Sequence, residues 1–286
     1  MISYEYLEKI ENFNLALKKN KGELDDGEHS TSSHGSGMVF SDHKPYSPGD
    51  EIRKIDWKAY ARTKDYYIKR YEEEKSITLH VLVDRSSSMD YGKADNKFDY
   101  ASKLGLSLSY MITNTNDRYR FSVFSETLTD ISSARRNSNL ADLIETLNSI
   151  GKTPESRIET CVTEYSQRIK HESTIVIISD FLTDFEQIKN AIDSLKGSNA
   201  VLVNVLDASE LDPDFEGDTL LKDPESSSRL RTYLTSKTKK RYRENLEEHL
   251  DRIENYAEKN GLDFMQVSTG NDVLEDFLEI WNSINA

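Results

Sequence analysis

The chain contains a single cysteine, Cys161, among 286 residues. It therefore cannot form an internal disulfide or a zinc site built from several thiolates. Unpaired thiols are typical of reducing compartments, so we expect a cytoplasmic protein. Cys161 lies in a stretch with helical spacing, and we predict a small buried residue there rather than a reactive thiol.

Long apolar runs are also missing from the sequence. No run approaches the roughly 18 residues that a membrane-spanning helix needs. The first residues, MISYEYLEKIENF, are amphipathic and acidic, which is unlike a secretory signal. We therefore expect a soluble protein that does not insert into a membrane.

Positive charge is scarce: the sequence has 37 Lys and Arg but 51 Asp and Glu, which gives a net charge of −14. The sequence pI is about 5.0. Most of the surface should therefore repel nucleic acid and anionic membranes. This balance argues against a nucleic-acid partner.

Three motifs that mark common enzyme classes are absent from the sequence. The G-x-S-x-G elbow of serine hydrolases is missing, and so are the G-x-x-x-x-G-K-[ST] loop of nucleotide hydrolases and the G-x-G-x-x-G turn of dinucleotide enzymes. The chain therefore lacks the motif that defines each of these three enzyme classes. We therefore predict that the protein is not an enzyme.

The segment from Ile77 to Asp90, ITLHVLVDRSSSMD, runs from apolar residues into a cluster of oxygen-bearing side chains. Its first half predicts a strand buried on both faces, as in a parallel sheet covered by helices. Ligands bind at the carboxyl ends of such strands, where Asp84, Ser86 and Ser88 fall. Their oxygen atoms are ligands that Mg²⁺ or Mn²⁺ prefers.

A second buried strand, TIVIIS, also ends in a carboxylate, Asp180. In a parallel sheet its carboxyl end lies at the same edge as the end of strand 77–83, and the usual strand order makes the two strands neighbours. Two carboxylates at such an edge repel each other, so we expect a bound Mg²⁺. In the alternative interpretation, Asp180 only caps the helix that begins near Asp184.

Strand and helix patterns alternate over residues 76–286. This alternation predicts the α/β class, with a doubly wound, mostly parallel sheet and helices on both faces. An Asp-Pro turn signal in DPESS predicts a hairpin insertion near residues 219–234. Residues 1–75 are predicted to form a separate N-terminal part, with a helix over residues 3–20, a polar loop and a small β-containing subdomain.

Charged and aromatic residues interleave between residues 35 and 75. The dipeptide Pro48-Gly49 predicts a turn, since Pro suits the second position of a turn and Gly accepts a positive φ at the third. Two interpretations of the segment stay open. It is either a small subdomain packed on Trp57 and held by ion pairs, or a surface that binds a partner.

The same segment carries a long signature in a fixed order. Its residues are Ser33, Gly35, Ser36, Gly37, Phe40, Pro45, Tyr46, Pro48, Gly49, Asp50, Arg53, Ile55, Asp56, Trp57, Ala61, Arg62, Thr63 and Glu72–Glu74. This signature resembles the bacterial and archaeal family called domain of unknown function 58. Many members of that family begin with two membrane-spanning segments, so this chain resembles the shorter, soluble form.

The D-x-S-x-S pattern after the first buried strand resembles the metal-ion-dependent adhesion site of von Willebrand factor type A domains. The resemblance implies a von Willebrand factor A-like fold and a bound Mg²⁺ or Mn²⁺, with a carboxylate of a protein partner at the open position. The implied metal ligands are Asp84, Ser86, Ser88, Thr153 and Asp180.

Thr153 is the threonine that matches the family pattern, and it lies in the loop GKTPES. Family members commonly read G-G-T-D there, so Lys152 and Pro154 are departures. A threonine before Pro-Glu is equally suited to be a helix N-cap. Both roles for Thr153 stay open.

Proteins of this family are typically encoded beside AAA+ ATPases of the MoxR type. The resemblance therefore implies a Mg²⁺-dependent protein-interaction module that serves as an adaptor or substrate-recognition partner of such a chaperone system. The alternatives are a metal-dependent phosphohydrolase and a scaffold with a vestigial metal site. A hydrolase of the haloacid dehalogenase type needs an acid where this chain has Ser86, whose hydroxyl cannot transfer the proton at neutral pH.

Two further groups of residues are compatible with binding. His29 and His34 lie in a Gly-rich loop, where we expect solvated side chains rather than metal ligands. A cluster of cations in the helix predicted over residues 236–260 is either a solvated face or a docking site for an acidic partner. Its members are Lys237, Lys239, Lys240, Arg241 and Arg243.

Overall fold

The computed structural model describes residues 1–22, 38–73, 77–92, 95–114, 117–132, 140–151, 156–169, 173–211, 217–222 and 229–284. The chain divides into a large unit, residues 1–23 and 77–286, and a small unit, residues 24–76. The first helix, α1 (Glu5–Gly22), belongs to the large unit, although the sequence placed it with segment 1–75. The reason is packing, because Ile2, Tyr6 and Ile10 are buried in the core of the large unit.

The small unit contains two antiparallel strands, β1 (Met38–Pro45) and β2 (Tyr67–Glu73), and the helix α2 (Trp57–Thr63). The predicted turn is confirmed, because Gly49 has a φ of 113° and the N–H of Asp50 donates to the carbonyl of Ser47 at 3.0 Å. The residue pattern of the sequence indicates the strand β2, but it does not predict the strand β1 or the helix α2. Both elements are short, and β1 depends on hydrogen bonds to β2 that no local pattern reveals.

The large unit is built on one six-stranded sheet. Its strands are β3 (Thr78–Asp84), β4 (Arg118–Phe124), β5 (Leu128–Ser132), β6 (Ser173–Ser179), β7 (Asn199–Leu206) and β10 (Asp263–Ser268). Their order is β10-β7-β6-β3-β4-β5, and only the pairing of β4 with β5 is antiparallel within this sheet. The mostly parallel sheet and the adjacency of β3 and β6 are confirmed.

Helices cover both faces of the sheet. Besides α1, they are α3 (Lys97–Thr113), α4 (Leu140–Ser149), α5 (Ile158–Ser166), α6 (Phe185–Ser194), α7 (Ala208–Leu211), α8 (Ser236–Lys259) and α9 (Val273–Ile284). Successive residues of β3 face opposite cores, because Val81 and Val83 pack with α1, α3, α4 and α9, whereas Leu82 packs with α5, α6 and α8. Cys161 is buried in the second core, as predicted. The doubly wound α/β fold is therefore confirmed.

An antiparallel hairpin of β8 (Gly217–Lys222) and β9 (Arg229–Leu234) lies where the insertion was predicted. It leads into α8, which has 24 residues and is strongly charged. Among the described residues, no helix combines the length and the apolar character that crossing a bilayer requires.

Gly105 of α3 packs closely against side chains of β3 and β4. A Cβ at this position would lie 2.7 Å from Cε2 of Phe121 and 2.8 Å from Cγ1 of Val81. We expect Gly105→Ala to lower the free energy of unfolding by about 1–3 kcal/mol, because both neighbours belong to a packed core. Urea unfolding of the two proteins measures this loss.

Gly151→Ala is the matched control, since a Cβ there meets no described atom within 4 Å. Gly151→Ala should leave the free energy of unfolding unchanged or raise it slightly, because alanine lowers the entropy of the unfolded chain. A loss equal to that in Gly105→Ala would show that crowding beneath α3 is not the cause.

Candidate metal site

Asp84 and Asp180 meet at the carboxyl ends of two neighbouring parallel strands. The register of β3 and β6 pairs Val83 with Ile178, which brings Asp84 opposite the end of β6. The hydroxyl of Ser179 donates to Oδ2 of Asp84 at 2.7 Å. The structure thus brings together the two strand ends that the sequence singled out.

Asp84 is buried and receives hydrogen bonds from three chain segments. Its Oδ1 accepts the backbone N–H of Ser86 at 2.8 Å, and its Oδ2 accepts the hydroxyls of Ser179 at 2.7 Å and Ser156 at 3.1 Å. Burial, and secondly the nearby charge of Asp180, raise the pKa of Asp84 to about 6. The site therefore holds two carboxylates at a cost that a nearby cation would relieve.

The hydroxyls of Ser86 and Ser88 lie side by side, with their oxygen atoms 3.0 Å apart. The chain forms a short 3₁₀ turn from Ser87 to Asp90, and the fully buried side chain of Met89 anchors it. This turn directs both predicted serine ligands toward the same side. Their spacing of two residues, read from the sequence, corresponds to this geometry.

Thr153, the fifth predicted ligand, lies outside the described residues, as do His29 and His34. Ser156, three residues after Thr153, is described and reaches Asp84 through its hydroxyl at 3.1 Å. The chain immediately before α5 therefore reaches the site. Ser156 was not predicted, because nothing in its sequence context separates it from any other loop serine.

The site also contains a buried lysine that sequence reasoning missed. Lys97, the first residue of α3, has its Nζ 2.8 Å from Oδ2 of Asp180 and 2.7 Å from Oε1 of Glu210. Glu210 lies on α7 and also accepts the backbone N–H of Asp207 at 2.8 Å. Burial alone would lower the pKa of Lys97, but Asp180 and Glu210 raise it, so the ammonium stays charged.

The position of Lys97 in its helix offered a signal. Asn96 caps α3 by accepting the N–H of Asp99 at 2.7 Å, which makes Lys97 the first residue of the helix. The helix dipole disfavours a positive charge there, so a carboxylate is needed nearby. Glu210 offered no comparable signal, because it lies in a stretch with many acidic residues.

The backbone after Asp180 adopts a conformation that is rare for residues other than glycine. Phe181 has a φ of 49° and is buried, and its carbonyl lies 2.8 Å from Nε2 of His249 on α8. The side-chain amide of Asn204 donates to the carbonyl of Asp180 at 2.7 Å. These contacts hold a strained turn in place, and such strain is concentrated at functional sites.

The donor set suits a hard divalent cation. Three carboxylates, of Asp84, Asp180 and Glu210, lie around one ammonium, that of Lys97, so the described residues leave an excess of two negative charges. The remaining donors, Ser86 and Ser88, are hydroxyls. No group of three His, Cys, Asp or Glu side chains in the described part could hold a metal, so a metal here relies on serine oxygen as well. These residues fit Mg²⁺ or Mn²⁺.

A comparison with known families places the chain. Residues 42–252, well over half of the sequence, match the family described as "Protein of unknown function DUF58". The chain belongs to the DUF58 family. This confirms the family indicated by the signature in the small unit, and all five predicted metal ligands lie within the DUF58 match.

Relatives of this DUF58 chain in mycobacteria are described as uncharacterised proteins. The proteins Rv1480 of Mycobacterium tuberculosis and Mb1516 of Mycobacterium bovis are each 21% identical over 217 residues, which covers 74% of this chain and 68% of theirs. At this identity the relatives do not assign a function to the chain.

Solved structures with a similar chain course include BatB from Bacteroides thetaiotaomicron, with a TM-score of 0.47 and 14% identity. This match covers 74% of the present chain and all of BatB. An aerotolerance-related membrane protein from Bacteroides fragilis also has a TM-score of 0.47, with 13% identity over 73% of this chain and 99% of the other. Likenesses at this level carry no argument about the function of the DUF58 chain.

Proposed function

We propose that this DUF58 protein is a non-enzymatic, Mg²⁺-dependent protein-interaction module. In this proposal Asp84, Ser86, Ser88, Thr153 and Asp180 hold the ion, and Mn²⁺ is an acceptable substitute. When bound, the ion would supply positive charge that attracts a carboxylate of the partner. The resemblance of the D-x-S-x-S turn to a metal-ion-dependent adhesion site supports this assignment.

The observation that carries the proposal is the excess of buried negative charge at the carboxyl edge of the sheet. Asp84 and Asp180 are 1% and 3% exposed. Lys97 pairs with Asp180 and Glu210, and among the described residues it forms neither a hydrogen bond nor an ion pair with Asp84. Unpaired buried charges are costly to a fold. A divalent cation is the simplest ligand that removes this cost.

The surroundings of the site favour an acidic partner. The hydroxyl of Tyr242, in the second turn of α8, lies within electrostatic range of Glu210 and Lys97, because burial first and the charge of Glu210 second raise its pKa. The start of α8, with its cluster of five cations at residues 237–243, therefore lies beside the site. A cluster of cations on α8 attracts acidic surfaces and speeds their association with the protein.

A MoxR-type AAA+ ATPase as the partner and a cytoplasmic location rest on the family resemblance and on composition, and both stay predictions. The phosphohydrolase alternative has less support. Asp84 lacks a neighbouring acid two residues on, because Ser86 occupies that position. Hydrolysis of p-nitrophenyl phosphate by the wild type, together with its loss in Asp84→Asn, would support the phosphohydrolase alternative.

The test of the proposal is a binding measurement between this protein and the MoxR-type ATPase encoded in the same genome. We expect retention of the ATPase in Mg²⁺ and at least tenfold weaker binding by Asp84→Ala, a difference of about 1.4 kcal/mol. The ATPase binds Mg²⁺ with its own nucleotide, so the variant is more decisive than removal of Mg²⁺ by EDTA.

Asp263→Ala is the control for this measurement, because Asp263 lies on β10 with its side chain bonded only to the hydroxyl of Ser283 among described residues. This variant should bind like the wild type. Equal binding by Asp84→Ala would show that the ATPase does not use the metal site, and no binding by the wild type would remove the ATPase from the proposal.

A further inference from the structure

The small unit exposes a cluster of aromatic rings that the proposed function leaves without a task. Trp57 and Tyr66 are 57% and 47% exposed. The rings of Tyr60 and Tyr66 stack with their centroids 4.6 Å apart, and Trp57 packs edge-on against them at 6.2 and 6.5 Å. Tyr46 extends the cluster at 6.3 Å from Tyr66. We call these four rings the aromatic face.

The helix that carries Trp57 and Tyr60 is held in place without burying its rings. Of the seven residues of α2, only Ala59 is buried. Its start is fixed by Asp56, whose Oδ1 accepts the N–H groups of Lys58 and Ala59 at 2.9 and 3.1 Å, while its Oδ2 lies 2.9 Å from Nε2 of His43. A fixed, exposed aromatic surface is typical of a protein-binding site.

Positive charge surrounds the aromatic face in a chain that is otherwise acidic. Residues 52–64, which carry Trp57 and Tyr60, contain five Lys and Arg and one Asp, a net charge of +4. Over residues 46–66, which span all four rings, three further acids reduce the net charge to +1, whereas the whole chain carries −14. The one acid within residues 52–64, Asp56, is buried and paired with His43 and Lys69. Within the described part of the chain, the exposed Arg62 and Lys58 have no ion-pair partner. These cations are available to an acidic ligand.

We propose that the aromatic face and its basic rim dock an acidic segment of another protein. An apolar side chain of that segment would cover Trp57 and Tyr66, and its carboxylates would pair with Lys58 and Arg62. Single-stranded nucleic acid combines negative charge with rings that stack. A long polyanion would be repelled by the net charge of −14, however, whereas a short acidic segment meets only the exposed cations Lys58 and Arg62 beside the rings. The docking role does not depend on the metal site.

The test uses the whole chain with Trp281→Phe, which leaves Trp57 as the only indole because the sequence has two tryptophans. The probe is a fluorescein-labelled peptide of about 16 residues in which Asp and Glu alternate with Leu and Phe. We expect the anisotropy of the probe to rise, the emission of Trp57 to shift to the blue as water leaves the ring, and the affinity to fall with added salt.

Two variants should each weaken peptide binding about tenfold or more. Trp57→Ala removes the exposed ring, and Lys58→Glu with Arg62→Glu reverses the charge of the rim. Lys18→Glu with Lys19→Glu on the exposed side of α1 is the matched control, since it changes the net charge equally, and it should bind like the wild type. Far-ultraviolet circular dichroism of each variant checks that the fold is retained.

Several results would overturn the proposal. Absence of peptide binding, or equal weakening by the control pair, would show that the face does not recognise acidic segments. Tighter binding of oligo-dT of the same length would assign the face to nucleic acid. Loss of self-association in Trp57→Ala, measured by light scattering, would assign it to a second copy of the chain.

Discussion

Replacing Lys97 with methionine is expected to lower the free energy of unfolding by about 3–5 kcal/mol. The ammonium lies 2.8 Å from Asp180 and 2.7 Å from Glu210, and the three side chains are 0%, 4% and 14% exposed. Methionine retains most of the volume but leaves two buried carboxylates without their cation. Urea unfolding, followed by the fluorescence of Trp281 in a Trp57→Phe background, reports this change from within the large unit.

Lys189→Met is the control for this prediction. Lys189 pairs with Glu186 at 2.8 Å on the exposed side of α6, where solvent screens the pair, so the unfolding midpoint should not move. Adding Asp180→Asn to Lys97→Met should cost less than the sum of the two single changes, because the neutral amide no longer needs the ammonium. Wild-type stability of Lys97→Met would contradict the role of Lys97 as the counter-ion.

Mg²⁺ is expected to stabilise the large unit, and Asp84→Ala is expected to abolish the effect. A ligand that binds only the folded state adds about 2.7 kcal/mol at a concentration one hundred times its Kd. The physical reason is the excess of negative charge at the ends of β3 and β6, where Asp84, Asp180 and Glu210 share the one ammonium of Lys97. Thermal unfolding in Mg²⁺, Mn²⁺ and EDTA, again followed by Trp281, measures the increment.

Asp193→Ala should retain the full Mg²⁺ increment, because Asp193 lies on α6 and pairs with Lys196 at 2.9 Å away from the strand ends. Thr153→Val separates the two roles that the sequence leaves open for Thr153. Loss of the increment identifies a metal ligand, whereas lower stability in EDTA with the increment retained identifies a helix cap. If neither ion raises the thermal stability of the wild-type protein, the result would support the alternative of a scaffold with a vestigial metal site.

The strand ends were the most predictable part of the site. Residues 77–83 and 174–179 are predominantly apolar, with few polar interruptions, and strands of this kind are buried in parallel sheets. Such sheets place all their carboxyl ends at one edge, so a carboxylate after each strand is enough to predict that Asp84 and Asp180 lie close together. The turn that follows β3 has a local pattern too, which explains why Ser86 and Ser88 were found.

Residues that reach the site from elsewhere in the fold were not predictable in the same way. Lys97 begins a helix, Ser156 lies in a loop, and Glu210 sits on a four-residue helix after β7. Each contacts a strand-end carboxylate or its partner only because separate segments converge at one edge of the sheet. Ser156 contacts Asp84 across 72 residues of chain, and Lys97 contacts Asp180 across 83 residues. Glu210 reaches Asp180 only through Lys97, from which it is separated by 113 residues.

The same contrast holds for the small unit. Its signature and its Pro48-Gly49 turn are local features and could be read directly, whereas the exposure of Trp57 could not. Whether an interleaved ring is buried depends on which neighbours fold over it, and here α2 buries only Ala59. Of the two interpretations of this segment, the docking proposal takes up the partner-binding surface, and it does so because Trp57 is exposed.

The sequence by itself determined the α/β class, the order of most strands and helices, the family, and the four oxygen donors at the two strand ends. Those features follow from periodicity and from short spacings, which act over a few residues. Only the tertiary structure decided that a buried ammonium occupies the same site, that three carboxylates share it, and that the rings of the small unit face outward. Burial and charge balance are properties of contacts between distant segments, so they exist only once the chain has folded.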